Sequence, residues 1–164
     1  KSVQNSTHKY EVGEYVHSDV CGPFRVAGRA GELYIVTFLD HASDHSTIYT
    51  VALKGEVEDC FFHYMAYSER QTGKKLKGWH TDRGGEMNTK VLWDCFAKNG
   101  IIHNETLAGT SEQNGHAERL NRTLVEHGAA STHTAQLPLT CFYDAVLNAN
   151  YVRNRLPTRP LHSS

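Results

Sequence analysis

The stretch His80-Thr81-Asp82-Arg83-Gly84-Gly85-Glu86-Met87 is followed by Gln113-Asn114-Gly115-His116-Ala117-Glu118-Arg119-Leu120-Asn121-Arg122-Thr123-Leu124, with 35 residues between Asp82 and Glu118. Leu76 to Thr81 reads as a strand, so Asp82 sits just past a strand's carboxyl end, where Gly84 and Gly85 let the backbone turn sharply. Glu118 falls in a long helical pattern carrying Leu120 and Leu124. A third acid, Asp19, lies upstream in the run His17-Ser18-Asp19-Val20-Cys21-Gly22-Pro23. Acids on a strand, at a strand end and on a covering helix can converge at the edge of a sheet. Hard oxygen ligands of this kind suit Mg²⁺ or Mn²⁺.

Outward from these acids, Glu14 to Val20, Glu32 to Asp40 and Ser46 to Leu53 are apolar, β-branched or aromatic runs that read as strands. From Glu56 the period changes: Val57, Cys60, Phe61, Tyr64 and Ser68 recur at three and four, with Gly73 as a stop. Asn88 to Asn99 reads as a second helix stopped by Gly100, and Ile101 to Leu107 as a short strand. Leu137-Pro138 opens a last helix with Leu139, Phe142, Val146 and Ala149 on one face. The order βββ-α-β-α-β-α-α predicts an α/β protein, a mixed five-stranded sheet with helices on both faces, which suits a ribonuclease H-like fold. At 164 residues, 39% hydrophobic and 21% charged, the chain fits one domain and excludes disordered, collagenous and membrane-spanning classes. The expected division is a linker over 1–13, a core over 14–160 and a tail over 161–164.

HTDRGGEM, the run QNGHAERLNRTLVEH and the earlier HSDVCGPF together resemble the catalytic core of retroviral-type integrases, with copia-type LTR retrotransposon integrases nearest. The later YVRNRLPT also resembles copia-type sequence, so the likeness spans about residues 14 to 160. It implies a polynucleotidyl transferase that trims DNA 3′ ends and joins them to target DNA, with Asp19, Asp82 and Glu118 as catalytic residues and metal ligands. It further implies two Mg²⁺ ions per site with Mn²⁺ as substitute, double-stranded DNA as partner, a homo-oligomer, and a nuclear location after a cytoplasmic particle stage. The chain departs from the family in two places. The run Thr110-Ser111-Glu112-Gln113 lacks the proline that usually precedes the Gln of the QNG run, with Ser111 the departing residue, and Ser43-Asp44 replaces a serine-arginine pair. Neither change removes a metal ligand. The alternatives are a domesticated, inactive DNA- or protein-binding module and a related ribonuclease H-like transposase or nuclease.

Charge is unevenly spread. Residues 1–10, 11–69 and 70–164 carry +2, −7 and +4 for a net −1, which points any phosphate-binding surface to the second half. On the Glu118 helix, Asn114 and Arg122 stand at i−4 and i+4, with Arg119 and Asn121 to the sides, and all four are candidate DNA contacts. The bland reading of Arg122 is an i, i+4 ion pair with Glu118. Lys74, Lys75 and Lys77 form the densest basic cluster and read equally as DNA contacts or as charges guarding an edge strand. Asp40 is expected to hold a turn and Glu86 to support a loop or helix N-terminus. Tyr10, Tyr15, Trp79 and Trp93 are expected in packing rather than base stacking. The four cysteines include no C-x-x-C, which argues against zinc clusters and disulfide scaffolds, and the His41/His45 pair reads as surface histidines rather than ligands. The first ten residues lack the apolar segment of a signal peptide, so a cytosolic or nuclear address is expected, and the sequence is expected to be a core alone, without the flanking zinc module.

Overall fold

Strand alternation sets the fold's two faces. In β1 (Tyr15–Cys21), Val16, Ser18 and Val20 point one way, and His17, Asp19 and Cys21 the other. A computed structural model describes residues 10–81, 89–105 and 115–156. Around β1 stand β2 (Tyr34–Asp40), β3 (Ser46–Val51), β4 (Gly78–Thr81) and β5 (Ile102–Glu105), in the order β3-β2-β1-β4-β5. β1 pairs antiparallel with β2 and parallel with β4, and β4 pairs parallel with β5. Asp19 therefore rides the central strand, as the reading of its run as a strand requires.

Four helices cover the sheet: α1 (Val57–Thr72), α2 (Lys90–Asn99), α3 (Gly115–Thr134) and α4 (Phe142–Arg153). One core joins Val16, Val36, Phe38 and Trp79 of the sheet to Val57, Phe61 and Tyr64 of α1 and Leu92 and Phe96 of α2. The other joins Ile35, Leu39 and Ile48 to Leu120 and Leu124 of α3 and Tyr143 and Val146 of α4. This is the mixed five-stranded sheet with helices on both faces that the sequence predicts, a ribonuclease H-like arrangement. Trp79 is fully buried and stacked on Phe61 at 4.2 Å, and its Nε1 donates to Ser18 Oγ at 2.7 Å, so its polar edge is satisfied inside the core.

Boundaries shift by two residues at most, except that α4 begins at Phe142, five residues after Leu137, behind a 3-10 turn over Leu139–Cys141. α2 begins after Thr89, whose hydroxyl accepts from Leu92 N and caps the helix, and α1 follows a single 3-10 turn over Lys54–Glu56. Helices α1 and α2 end at Gly73 and Gly100, both left-handed as a helix stop requires. Within the expected linker, Gly13 N donates to Asp40 Oδ2 at 2.7 Å, which ties this segment to the domain. Among the described residues no helix is long and apolar enough to cross a membrane.

Candidate active site

Asp19 is half-buried near the C-terminal end of β1, directly opposite Thr37 of β2. Its Oδ1 accepts from Val20 N at 2.9 Å and its Oδ2 from Asn121 Nδ2 at 2.9 Å. Asn121 Oδ1 in turn accepts from the Thr37 hydroxyl. A carboxylate offers about four lone-pair directions, so two such bonds are compatible with metal ligation. Because Asn121 reaches Asp19, the start of α3 is pinned to the central strand. Glu118 lies one turn earlier on the same helix face, exposed, and residues at this spacing have Cβ atoms about 5–6 Å apart. Asp82 lies outside the described residues; it follows Thr81, the last residue of β4, which is the neighbour of β1.

The other expected site residues divide. Arg119 and Arg122 are exposed on α3. Asn121, an expected DNA contact, is only 5% exposed, and both ends of its amide are engaged by Thr37 and Asp19. Asn114 lies outside the described residues, as does Glu86. Lys74 pairs with Glu11, Lys75 with Glu69, and Lys77 Nζ lies 2.6 Å from Glu14 Oε1, a contact that holds the Glu14 carboxyl below the usual range. These lysines precede β4, an inner strand, so the edge-guarding reading fails too; each balances a local carboxylate. Asp40 is the turn residue expected, with Oδ1 accepting from Ser43 N at 2.8 Å and from Ser43 Oγ at 2.7 Å.

Beside Asp19 on the same face of β1 is His17, paired in register with His80 and with its Nε2 3.0 Å from His41 Nδ1. Burial, reinforced by His80, His41 and His116, pushes the His17 imidazole down to about 3, and burial lowers His80 as well. Next to the acids, then, are neutral rings. His41 closes β2 and faces His17 rather than joining His45 in a helical clamp, and among the described residues no group of three or more His, Cys, Asp or Glu side chains is arranged to hold a metal ion. The four cysteines are free, as their spacing predicts. Tyr15 is buried and stacked by Tyr10 at 4.5 Å, whereas Trp93 is 45% exposed and leans edge-on against Phe96. Thr37 and the His17–His41 contact escaped the sequence reading.

An acid on the central strand is thus held by a covering helix that carries a second acid one turn away. The fold agrees with solved structures. A simian T-cell lymphotropic virus intasome in complex with PP2A regulatory subunit B56 gamma superimposes with a TM-score of 0.71 at 14% identity, over 93% of this chain and 52% of that one. The HTLV-2 integrase catalytic core domain, in complex with magnesium and in trimeric form, gives 0.64 at 15% identity, over 91% and 90%. In sequence the chain is 39% identical over 157 residues to the retrovirus-related Pol polyprotein from transposon TNT 1-94 of Nicotiana tabacum, covering 96% of this chain and 12% of that protein. It is 32% identical over 158 residues to the corresponding polyprotein from transposon RE1 of Arabidopsis thaliana, covering 96% and 10%. The chain is thus similar to one segment of the retrovirus-related Pol polyproteins of plant transposons and shares the fold of integrase catalytic cores. It spans about a tenth of the length of these relatives. No family model matches it.

Proposed function

We propose that the chain is the catalytic core of a copia-type retrotransposon integrase, a DNA strand transferase that trims 3′ ends and joins them to target DNA. The observation that carries this reading is the bond from Asn121 to Asp19, which sets the α3 turn bearing Glu118 against the central strand. The residues fit a divalent cation. Asp19 and Glu118 offer hard carboxylate oxygens at an accessible position, and the donor to Asp19 is a neutral amide rather than a competing cation. Asp19, Asp82 and Glu118 would hold two Mg²⁺ or Mn²⁺ ions, which when bound activate a water or DNA 3′-hydroxyl and neutralise charge at the scissile phosphate.

The displacement is in line: the entering oxygen bonds to phosphorus as the bond to the leaving 3′ oxygen breaks, without a covalent enzyme intermediate. What the chain itself contributes is positioning and charge. Arg122 and Arg119, exposed on the Glu118 helix, approach DNA phosphates, and Asn114 is a further candidate contact. Double-stranded DNA is the partner, a homo-oligomer the working form, and the nucleus, after a cytoplasmic particle stage, the place of reaction.

Asp19→Asn, Asp82→Asn and Glu118→Gln each remove an anionic ligand at nearly constant volume. Each is expected to abolish resolution of a pre-formed branched DNA in Mg²⁺ and Mn²⁺ while the melting temperature stays close to wild type. A folded variant that keeps near wild-type resolution removes that residue from the triad. No activity of the folded wild-type chain on any DNA substrate, although it binds Mn²⁺, favours the inactive binding module.

A further inference from the structure

Side chains from three elements form a hydrogen-bonded line that ends on Asp19. Thr37, fully buried on β2, donates its hydroxyl to Asn121 Oδ1, and Asn121, on α3, donates Nδ2 to Asp19 Oδ2 at 2.9 Å. Chemistry fixes the direction. An ionised carboxylate only accepts, so the amide must turn its NH₂ toward Asp19 and its carbonyl toward Thr37, whose hydroxyl must then donate. Without that hydroxyl the carboxylate still calls for the NH₂ end, but the carbonyl end of the amide loses the donor that holds it. Val20 N holds the other carboxylate oxygen, so both are oriented by the protein.

We propose that Thr37 and Asn121 are positioning residues that set the affinity of Asp19 for a divalent cation; the inference rests on the reading of Asp19 as a metal ligand. The terminal torsion of an aspartate is broad, and a cation that had to immobilise it would bind more weakly. The Asn121 bond fixes that torsion in advance. An amide also does this without charge, whereas a lysine or arginine in its place would repel the incoming ion. Removing partners of this kind typically costs about 10- to 100-fold in metal affinity. Thr37 itself is fully buried and its hydroxyl donates to Asn121, so an effect of that hydroxyl on metal binding has no route through DNA contact.

The test is Mn²⁺ binding to the 164-residue chain without DNA, followed by the paramagnetic resonance signal of free Mn²⁺. Thr37→Val removes the hydroxyl at nearly constant shape and is expected to weaken binding about fivefold, the worth of one buried neutral hydrogen bond. Thr37→Ser is expected to restore it, and Asn121→Ala to weaken it at least about tenfold. In resolution of a branched DNA, the Mn²⁺ concentration for half-maximal rate should rise in parallel in Thr37→Val while the rate at saturating Mn²⁺ stays near wild type. Unchanged Mn²⁺ affinity in folded Thr37→Val or Asn121→Ala, with binding lost in Asp19→Asn, overturns the positioning role alone. A Thr37→Ser variant as weak as Thr37→Val overturns the part given to the hydroxyl. Wild-type affinity in Asp19→Asn, or no binding by the wild-type chain, overturns the metal-ligand reading beneath it.

Discussion

His17 stands two residues before Asp19 on the same face of β1, and its environment fixes its charge state. It is only 8% exposed, its Nδ1 has no hydrogen-bond partner among the described residues, and burial, His80, His41 and His116 hold its pKa down at about 3 against an ordinary 6.5. The sign follows from linkage: a depressed histidine binds its proton more readily when unfolded, so folding loses stability as pH falls below the unfolded value. The loss runs from about pH 6.5 down to about 3 and approaches about 1.4 kcal/mol per pH unit for this one group. His80 and His103, also lowered by burial, act in the same direction. Urea midpoints at pH 7.5, 6.0 and 5.0 should therefore fall steadily for the wild-type chain and less steeply for His17→Gln; equal slopes would show that His17 does not titrate on unfolding. At this scale the sequence disclosed the acids but not their neighbours. Asp19 and Glu118 stand out because a carboxylate in a strand or beside an amide and a guanidinium is conspicuous. Thr37 is an ordinary strand threonine until the β1–β2 register sets it opposite Asp19, and register between distant strands is not written in a period-two pattern.

Helices α3 and α4 approach each other closely at Gly128. A Cβ built at Gly128 would lie 2.4 Å from Val146 Cγ2 and 3.2 Å from Val146 N, and Val146 is fully buried. Gly128→Ala sets two effects in opposition: about 1 kcal/mol of helix propensity gained, and overpacking that typically costs about 1–3 kcal/mol. Backbone on the far side cannot yield as a flexible side chain could, so overpacking wins. The melting temperature is expected to drop by several degrees, with the Asp19–Asn121 contact and hence Mn²⁺ affinity weakened as α3 is displaced; a rise in melting temperature would mean the helices can separate without cost. All the described elements were legible because each carries its own period: Val57, Cys60, Phe61 and Tyr64 for α1, Leu120 and Leu124 for α3. Their ends were less so. Thr89 caps α2 through its own hydroxyl, one residue past the start read from Asn88, and the Lys74–Lys77 cluster looked like a nucleic-acid patch because its partners Glu11, Glu14 and Glu69 come from other elements.

Over the whole molecule, charge limits what the chain can do by itself. Net charge is −1, the +4 of residues 70–164 offsets only part of the −7 of residues 11–69, and Lys74, Lys75 and Lys77 are already balanced by carboxylates. Affinity for duplex DNA grows with the number of phosphates neutralised, because each releases condensed counterions. On α3 only Arg119 and Arg122 are exposed arginines, so few such contacts are available, and binding should be weak and lost at moderate salt. Strand transfer between separate DNA ends and a target needs both duplexes held in register, which few contacts cannot supply. A branched DNA that already places its 3′-hydroxyl beside the scissile phosphate supplies that positioning itself, and correct placement of reacting groups is worth about 7–11 kcal/mol of barrier. The 164-residue chain with Mn²⁺ is therefore expected to resolve such a pre-formed branch, and to fail at end trimming and at paired-end integration. Both reactions should be run with the same preparation at low and moderate salt, beside Asp19→Asn as the inactive control. Efficient paired-end integration would show that the core surface grips DNA far better than its charge implies, whereas silence on the branched substrate by a chain that binds Mn²⁺ would turn the reading toward a binding module.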